Sequence, residues 1–205
     1  MPSKSVFIPP CLPTLRKDPP TGERWPHEVK FDGWRVQLHL DGKDAAIFSK
    51  SGNDFTDRFP EMEAALVLMP ASAAIIDAEL TACDADGMPD FQALLSGKAD
   101  NLCVWCFDLL SINGKDLRPL PYRERKARLQ SLVERSGDDR ILYSEHFADP
   151  GPLLKACARM KLEGIVSKRA DSPYRSSPSK DWITVKCAEW REANKARGEL
   201  SNNRR

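Results

Sequence analysis

Residues 102 to 110, Leu-Cys-Val-Trp-Cys-Phe-Asp-Leu-Leu, hold one charge in nine positions. A run so nearly apolar reads as a central strand covered on both faces, and Asn113-Gly114 closes it. A chain with such a strand must place further strands beside it and layers above and below. The flanking segments supply them. Ala73–Ala82 alternates as a strand, interrupted by Asp77 and Glu79. Residues 27–40 and 45–50 read as a hairpin across Asp41-Gly42-Lys43, with Lys30 at a strand end before the Asp32-Gly33 break. Shorter strands are predicted at 141–143, 164–168 and 182–187. Helices are predicted at 57–69 (Phe59, Met62, Leu66 and Met69 inward), at 89–95, at 122–135 (charged and amphipathic, Leu129 and Leu132 inward), at 150–160 and at 190–200. Residues 171–180 read as a Ser/Pro loop. The first 26 residues carry seven prolines and read as an extended arm anchored by Phe7, Ile8, Leu12 and Leu15. The fold class is α+β, a mainly antiparallel core with peripheral helices: an arm over 1–26, one domain over 27–187, and a basic C-terminal helix or tail over 188–205.

Composition narrows the setting. No apolar run approaches the ~20 residues that cross a bilayer, and the N-terminus lacks the apolar stretch of a signal peptide. The six cysteines are scattered. Cys103 and Cys106 are the one close pair, placed by period two on opposite strand faces, so buried thiols in a reducing cytoplasm are expected. The net charge of +1 hides an asymmetry: residues 1–154 carry 18 Lys/Arg against 24 Asp/Glu, and residues 155–205 carry 13 against 6. A basic last quarter is a possible footprint for a phosphate backbone, and a solvated tail would look the same.

Four charged clusters sit on or beside predicted strands: Lys30/Asp32/Arg35, Asp77/Glu79, Glu163 with Lys168, and Lys186. With Phe107-Asp108 at the end of the apolar strand they describe a cleft mixing lysines, carboxylates and an aromatic ring. Such a set suits phosphate, a divalent cation and a base. A strand-end lysine aimed into a cleft is a candidate nucleophile, expected to be activated by a pKa lowered through burial or neighbouring cations. His27, His39 and His146 show no ligand spacing and receive no role. Trp25, Trp34, Trp105 and Trp190 read as packing aromatics.

In order and spacing the series resembles the adenylation domain of ATP-dependent DNA ligases, within the covalent nucleotidyltransferases (an ATP-grasp-like fold). Glu28-x-Lys30-x-Asp32-Gly33-x-Arg35 looks like motif I, Asp77-Ala78-Glu79-Leu80 motif III, Phe107-Asp108 motif IIIa, Glu163 to Lys168 motif IV and Trp182 to Lys186 motif V. The opening Phe-Ile-Pro-Pro-Cys-Leu and the run Ser51 to Pro60 are most similar to the ligase domain of bacterial non-homologous end-joining ligases. The resemblance implies ATP as substrate, with Mg²⁺ or Mn²⁺, and Lys30 as the residue that becomes lysyl-AMP. It implies Glu28 at the adenine edge, Arg35 in the ATP site, Glu79 at the ribose, Phe107 and Val166 on the two faces of the base, and Lys168 and Lys186 at the α-phosphate. Glu163 and Asp32 would serve the metal, and Lys50 the DNA 5′-phosphate. Nicked or broken double-stranded DNA is the implied partner, and no membrane is; the location is cytoplasmic, at the nucleoid when on DNA.

The family pattern is broken in places. Thr184 stands where motif V commonly has its first lysine, and Lys50 where an arginine is usual. The eighteen residues after Cys187 are too few for the OB-fold barrel that follows in ligases, so no OB-fold is expected here, and an OB-fold or end-joining partner in trans would complete sealing. The alternative is a ligase-derived DNA- or partner-binding module with weakened catalysis. An RNA ligase or capping-type enzyme shares motif I, but the opening arm and the Ser51 to Pro60 run argue against it.

Overall fold

The predicted apolar strand lies inside a sheet. The computed structural model of the chain describes residues 6–84, 89, 93–94 and 101–194. Leu102–Ile112 forms β6, bordered on one side by β5 (Ala73–Ala82) and on the other by β7 (Lys115–Asp116) and the parallel β8 (Ile141–Tyr143). With β3 (Trp34–Asp41) and β4 (Asp44–Ser49) these make a six-stranded sheet of order β4-β3-β5-β6-β7. Turn chemistry closes its hairpins. Gly42, at φ +65°, joins β3 to β4, and Asn113-Gly114, at φ +48° and +78°, form the doubly left-handed turn that suits the right-handed twist of β6 and β7.

A second sheet of five strands runs β1-β11-β10-β2-β9, from β1 (Leu12–Leu15), β2 (His27–Lys30), β9 (His146–Phe147), β10 (Gly164–Lys168) and β11 (Pro178–Lys186). The expected hairpin over 27–50 is therefore only half right. β3 and β4 pair, but β2 belongs to the other sheet, and the chain crosses between the sheets at residues 31–33. Gly33 permits the crossing: a Cβ there would lie 2.3 Å from the Leu80 carbonyl oxygen, so the backbone can press on β5 only without a side chain. The N-terminal arm does not merely wrap the domain. Leu12–Leu15 pairs in parallel with β11, which draws the start of that strand back to Pro178, inside the expected loop. Of the arm's four anchors, Ile8 is buried and Leu15 is exposed.

Four helices whose bounds lie among the described residues cover the sheets. α1 (Pro60–Val67) begins at Pro60 rather than at 57 because a proline forces the preceding residue, Phe59 (φ −137°, ψ 60°), out of helical geometry; a 3₁₀ turn over Thr56–Arg58 leads into it. α1 and α2 (Tyr122–Val133) pack Met62, Leu66, Leu129 and Leu132 onto the outer face of the six-stranded sheet, against Val36, Leu38, Ile76 and Leu109. α3 (Pro150–Arg159), whose first turn is capped by the Asp149 carboxylate accepting from Gly151 N at 2.9 Å, covers the five-stranded sheet with α4 (Ala188–Ala193). Between the sheets lies a small cluster of Ile8, Cys11, Ile75, Leu110, Tyr174 and Trp182. Truncating Leu110, a fully buried aliphatic side chain of this cluster, to alanine costs about 2–5 kcal/mol. Among the described residues, seven of the nine strand pairings are antiparallel, so the α+β reading holds. The predicted helix at 89–95 and the end of the predicted C-terminal helix fall largely outside the described residues. All six cysteines are free thiols, and no described helix is long and apolar enough to cross a membrane.

Candidate active site

The two sheets face each other across a cleft of ≈ 510 Å³. Strand register makes its floor. On the cleft face of the five-stranded sheet, Lys30, Gly164 and Lys186 stand opposite one another in one row; Glu28, Val166, Thr184 and Leu15 form the next, and Lys168 and Trp182 a third. All are two residues apart along their strands, so the pleat points them the same way. Gly164, at φ +150°, leaves the middle of the first row bare: a Cβ there would lie 2.1 Å from Val185 O. The six-stranded sheet supplies Arg35, Glu79 and Phe107 as the facing wall, with Gly33 at the crossing just before β3 and Lys50 just after β4.

The first row is held by one carboxylate. Glu163 Oε2 accepts from Lys30 Nζ at 2.7 Å, and its Oε1 pairs with Lys186 Nζ at 2.7 Å. Burial alone would lower the Lys30 pKa, but Glu163 and then Glu79 outweigh it, and the amine titrates above the ordinary lysine value. The expectation of a lowered pKa is thus corrected: partial burial came with two carboxylates rather than with bare cations. Burial in turn pushes the Glu79 carboxyl up to about 7, against the pull of Lys30 and Arg35. Asp32 stands outside the cleft wall and accepts from Trp190 Nε1 at 3.3 Å. Glu163, the other expected metal carboxylate, is 4% exposed and is not itself a lining residue; it meets the cleft through the two lysines that it pairs with. Its oxygens are of the hard kind a divalent ion takes, but each is already paired with an ammonium, so binding one would require a lysine to let go.

The third row holds Lys168, which the resemblance puts at the α-phosphate. Lys168 is 1% exposed, donates to Glu28 Oε1 at 2.8 Å and to the Phe107 carbonyl at 3.1 Å, and lies within 4.4–5.2 Å of the Trp182, Phe107 and Tyr122 ring centres. Its ammonium sits among the rings at the aromatic end of the cleft. Glu28 is equally enclosed. Tyr122 Oη and Lys168 donate to one of its oxygens, and Ser144 Oγ (2.9 Å) and Lys126 Nζ (3.2 Å) meet the other. Burial would raise this carboxyl, but Lys126 and Lys168 prevail and hold it below the usual carboxylate value. Lys126 is itself pushed down to about 8, chiefly by burial. Arg35 gives its guanidinium fork to Asp77 (2.9 and 2.7 Å) and a further N–H to the Cys11 carbonyl (2.7 Å), so it ties the arm to β5 at the edge of the cleft.

Helix α2 carries the contacts that sequence reading missed. Tyr122, Arg125 and Lys126 are buried, and Arg125 grips Asp108 through two bonds of 2.8 Å with neither side chain exposed. The signal was available: Tyr122, Arg125, Lys126 and Leu129 lie at i, i+3, i+4 and i+7, on the stripe that Leu129 and Leu132 turn inward. Trp105 stacks on Phe31, with centroids 4.1 Å apart, as the packing reading expected.

Residues 18–186 match the family model described as the ATP dependent DNA ligase domain. The chain belongs to this family. Among its curated relatives is the multifunctional non-homologous end joining protein LigD of Pseudomonas aeruginosa, 38% identical over 186 residues, which cover 88% of this chain and 22% of that protein. A probable DNA ligase of Streptomyces avermitilis is 34% identical over 207 residues, 85% of this chain and 39% of the other. The chain therefore spans between about a fifth and two fifths of the length of these ligases. Among solved structures, mycobacterial DNA ligase D complexed with ATP and MES superposes with a TM-score of 0.77 at 24% identity, over 87% of this chain and 60% of that one, a likeness of fold. The rows of the five-stranded sheet lay side by side the three segments that resemble motifs I, IV and V, and the facing wall carries the two that resemble motifs III and IIIa.

Proposed function

We propose that the cleft carries out the nucleotidyl-transfer step of DNA ligation: it takes ATP and forms a covalent lysyl-AMP on Lys30, for the joining of DNA ends. The observation that carries this reading is the Lys30–Glu163–Lys186 row at one end of a cleft whose other end is aromatic. The base would lie between Phe107 and Val166, with Glu79 toward the ribose and the α-phosphate over the first row. Lys30 must shed a proton before its lone pair can attack, and Glu163 Oε2, at 2.7 Å, is the acceptor within reach. The N–Pα bond then forms as the Pα–O bond to pyrophosphate breaks, and pyrophosphate leaves with the electron pair. Lys186 is the cation beside the charge that builds on the α-phosphate. Mg²⁺ or Mn²⁺, held by Glu163 and by Asp32 if that side chain turns inward, would neutralise the triphosphate and the departing pyrophosphate. Lys168 and Glu28 serve this step by fixing the Phe107 backbone and the β2 strand below the base. Lys50 would meet the 5′-phosphate of nicked or broken duplex DNA, in a reducing cytoplasm and at the nucleoid, with an OB-fold or end-joining partner assisting.

Incubation with α-labelled ATP and Mg²⁺, followed by a denaturing gel, tests the reading. Label should stay with the protein and vanish in Lys30→Ala. An unlabelled wild type, after pyrophosphate treatment to discharge any AMP already bound, would instead favour a ligase-derived binding module.

A further inference from the structure

Thr184 stands where the ligase pattern commonly has a lysine, and its surroundings assign the hydroxyl another task. The residue is 4% exposed and lines the cleft, yet its Oγ1 has no hydrogen-bond partner among the described residues. A buried hydroxyl without a partner forfeits its hydration for nothing, unless a ligand supplies the bond. The register says which part of a ligand lies there. Thr184 is directly across from Val166 and Leu15, one pleat step, about 7 Å, from the Lys186 row. A lysine at this position would reach along the floor to the phosphates; a threonine stays in its own row. In that row Val166 and Leu15 are apolar. Glu28 already meets four donors, as many as its two carboxylate oxygens have lone-pair sites. Its carboxylate takes a bond from a base edge only by giving one up. Thr184 is thus the side chain of the second row with hydrogen-bonding capacity to spare.

We infer that the Thr184 hydroxyl hydrogen-bonds the nucleoside part of the bound nucleotide, its base or ribose, and takes over recognition that the saturated Glu28 carboxylate cannot give. The inference rests on the nucleotide reading of the cleft. Thr184→Val keeps the shape and removes the hydroxyl. Because the hydroxyl has no partner in the free protein, the substitution should leave thermal stability without nucleotide unchanged or raise it. The same substitution should weaken ATP and AMP binding alike, by about three- to tenfold, the size of one hydrogen bond. Thr184→Ser should restore affinity. Calorimetric titration with ATP and AMP, beside thermal unfolding of each variant, reads all of this. Equal affinities of wild type and Thr184→Val would overturn the inference, as would a loss confined to ATP, which would place the hydroxyl at the phosphate tail. A loss of stability in the free protein would overturn it too, since the hydroxyl would then have a partner inside the fold. A wild type that binds neither nucleotide would sink the reading of the cleft itself, a separate result.

Discussion

Lys30 was legible in the sequence as the residue to watch, but its charge state was not. Spacing put it at a strand end before Asp32-Gly33; the carboxylate that reaches it, Glu163, lies 133 residues away and arrives only through the pairing of β2 with β10. The consequence is a nucleophile stored as an ammonium. Glu163→Gln keeps the shape and removes the charge, so the burial that favours the neutral amine would act with less opposition, and the Lys30 pKa should fall below its wild-type value. Below its pKa the ammonium is inert, so the pH at which Lys30 begins to react with an amine-acylating reagent should move down in the variant. Peptide mass spectrometry across pH 7 to 11, without nucleotide, measures this, and an unshifted midpoint would remove Glu163 as the group holding the proton. The stability sign agrees: a lysine with a raised pKa helps the fold below about pH 10.4 and loses that help as pH climbs through its folded value.

Helix α2 makes the corresponding argument at the level of elements. Its existence and apolar stripe were readable, and its buried charges were misplaced because a charged helix is usually solvated on its charged face. Arg125 sits on the inward stripe, and what makes that tolerable is Asp108, next to Phe107 on β6, with the Leu120 and Ser172 carbonyls taking a further N–H. Removing one partner leaves an unpaired buried charge. Arg125→Ala is therefore expected to cost about 3–5 kcal/mol of stability. Arg125→Met combined with Asp108→Leu should recover much of that, since two apolar groups leave no charge stranded. Urea unfolding of the three proteins checks the order, and a double variant as unstable as the single one would show that the pair contributes more than its own neutralisation. Because Asp108 is chained to Phe107, the double variant should also bind nucleotide less well than its recovered stability would imply.

At the scale of the whole molecule, the sheet content was legible and its division into two sheets was not. In one sequence, a chain that runs β2–Asp32-Gly33–β3 looks like one kinked hairpin; the contact that splits it, Gly33 against Leu80 O, involves residues 47 positions apart. The basic last quarter shows the same limit. Two of its lysines, Lys168 and Lys186, are spent on Glu28 and Glu163, so the count of charges overstates what it offers to DNA. The division matters because the groups proposed to touch the nucleotide's base, ribose and α-phosphate come from both sheets: Lys30, Val166, Thr184 and Lys186 from the five-stranded sheet, Glu79 and Phe107 from the six-stranded one. A nucleotide that fills the cleft must tie the sheets together. At a hundred times its dissociation constant it should stabilise the protein by about 2.7 kcal/mol. The protection should not be local, so hydrogen–deuterium exchange should slow at β5 and β6 as well as at β10 and β11. Slowing of β10 and β11 alone would mean that the nucleotide rests on one sheet, with Phe107 and Glu79 out of contact; slowing of both is what a ligand gripped between motifs on opposite walls requires.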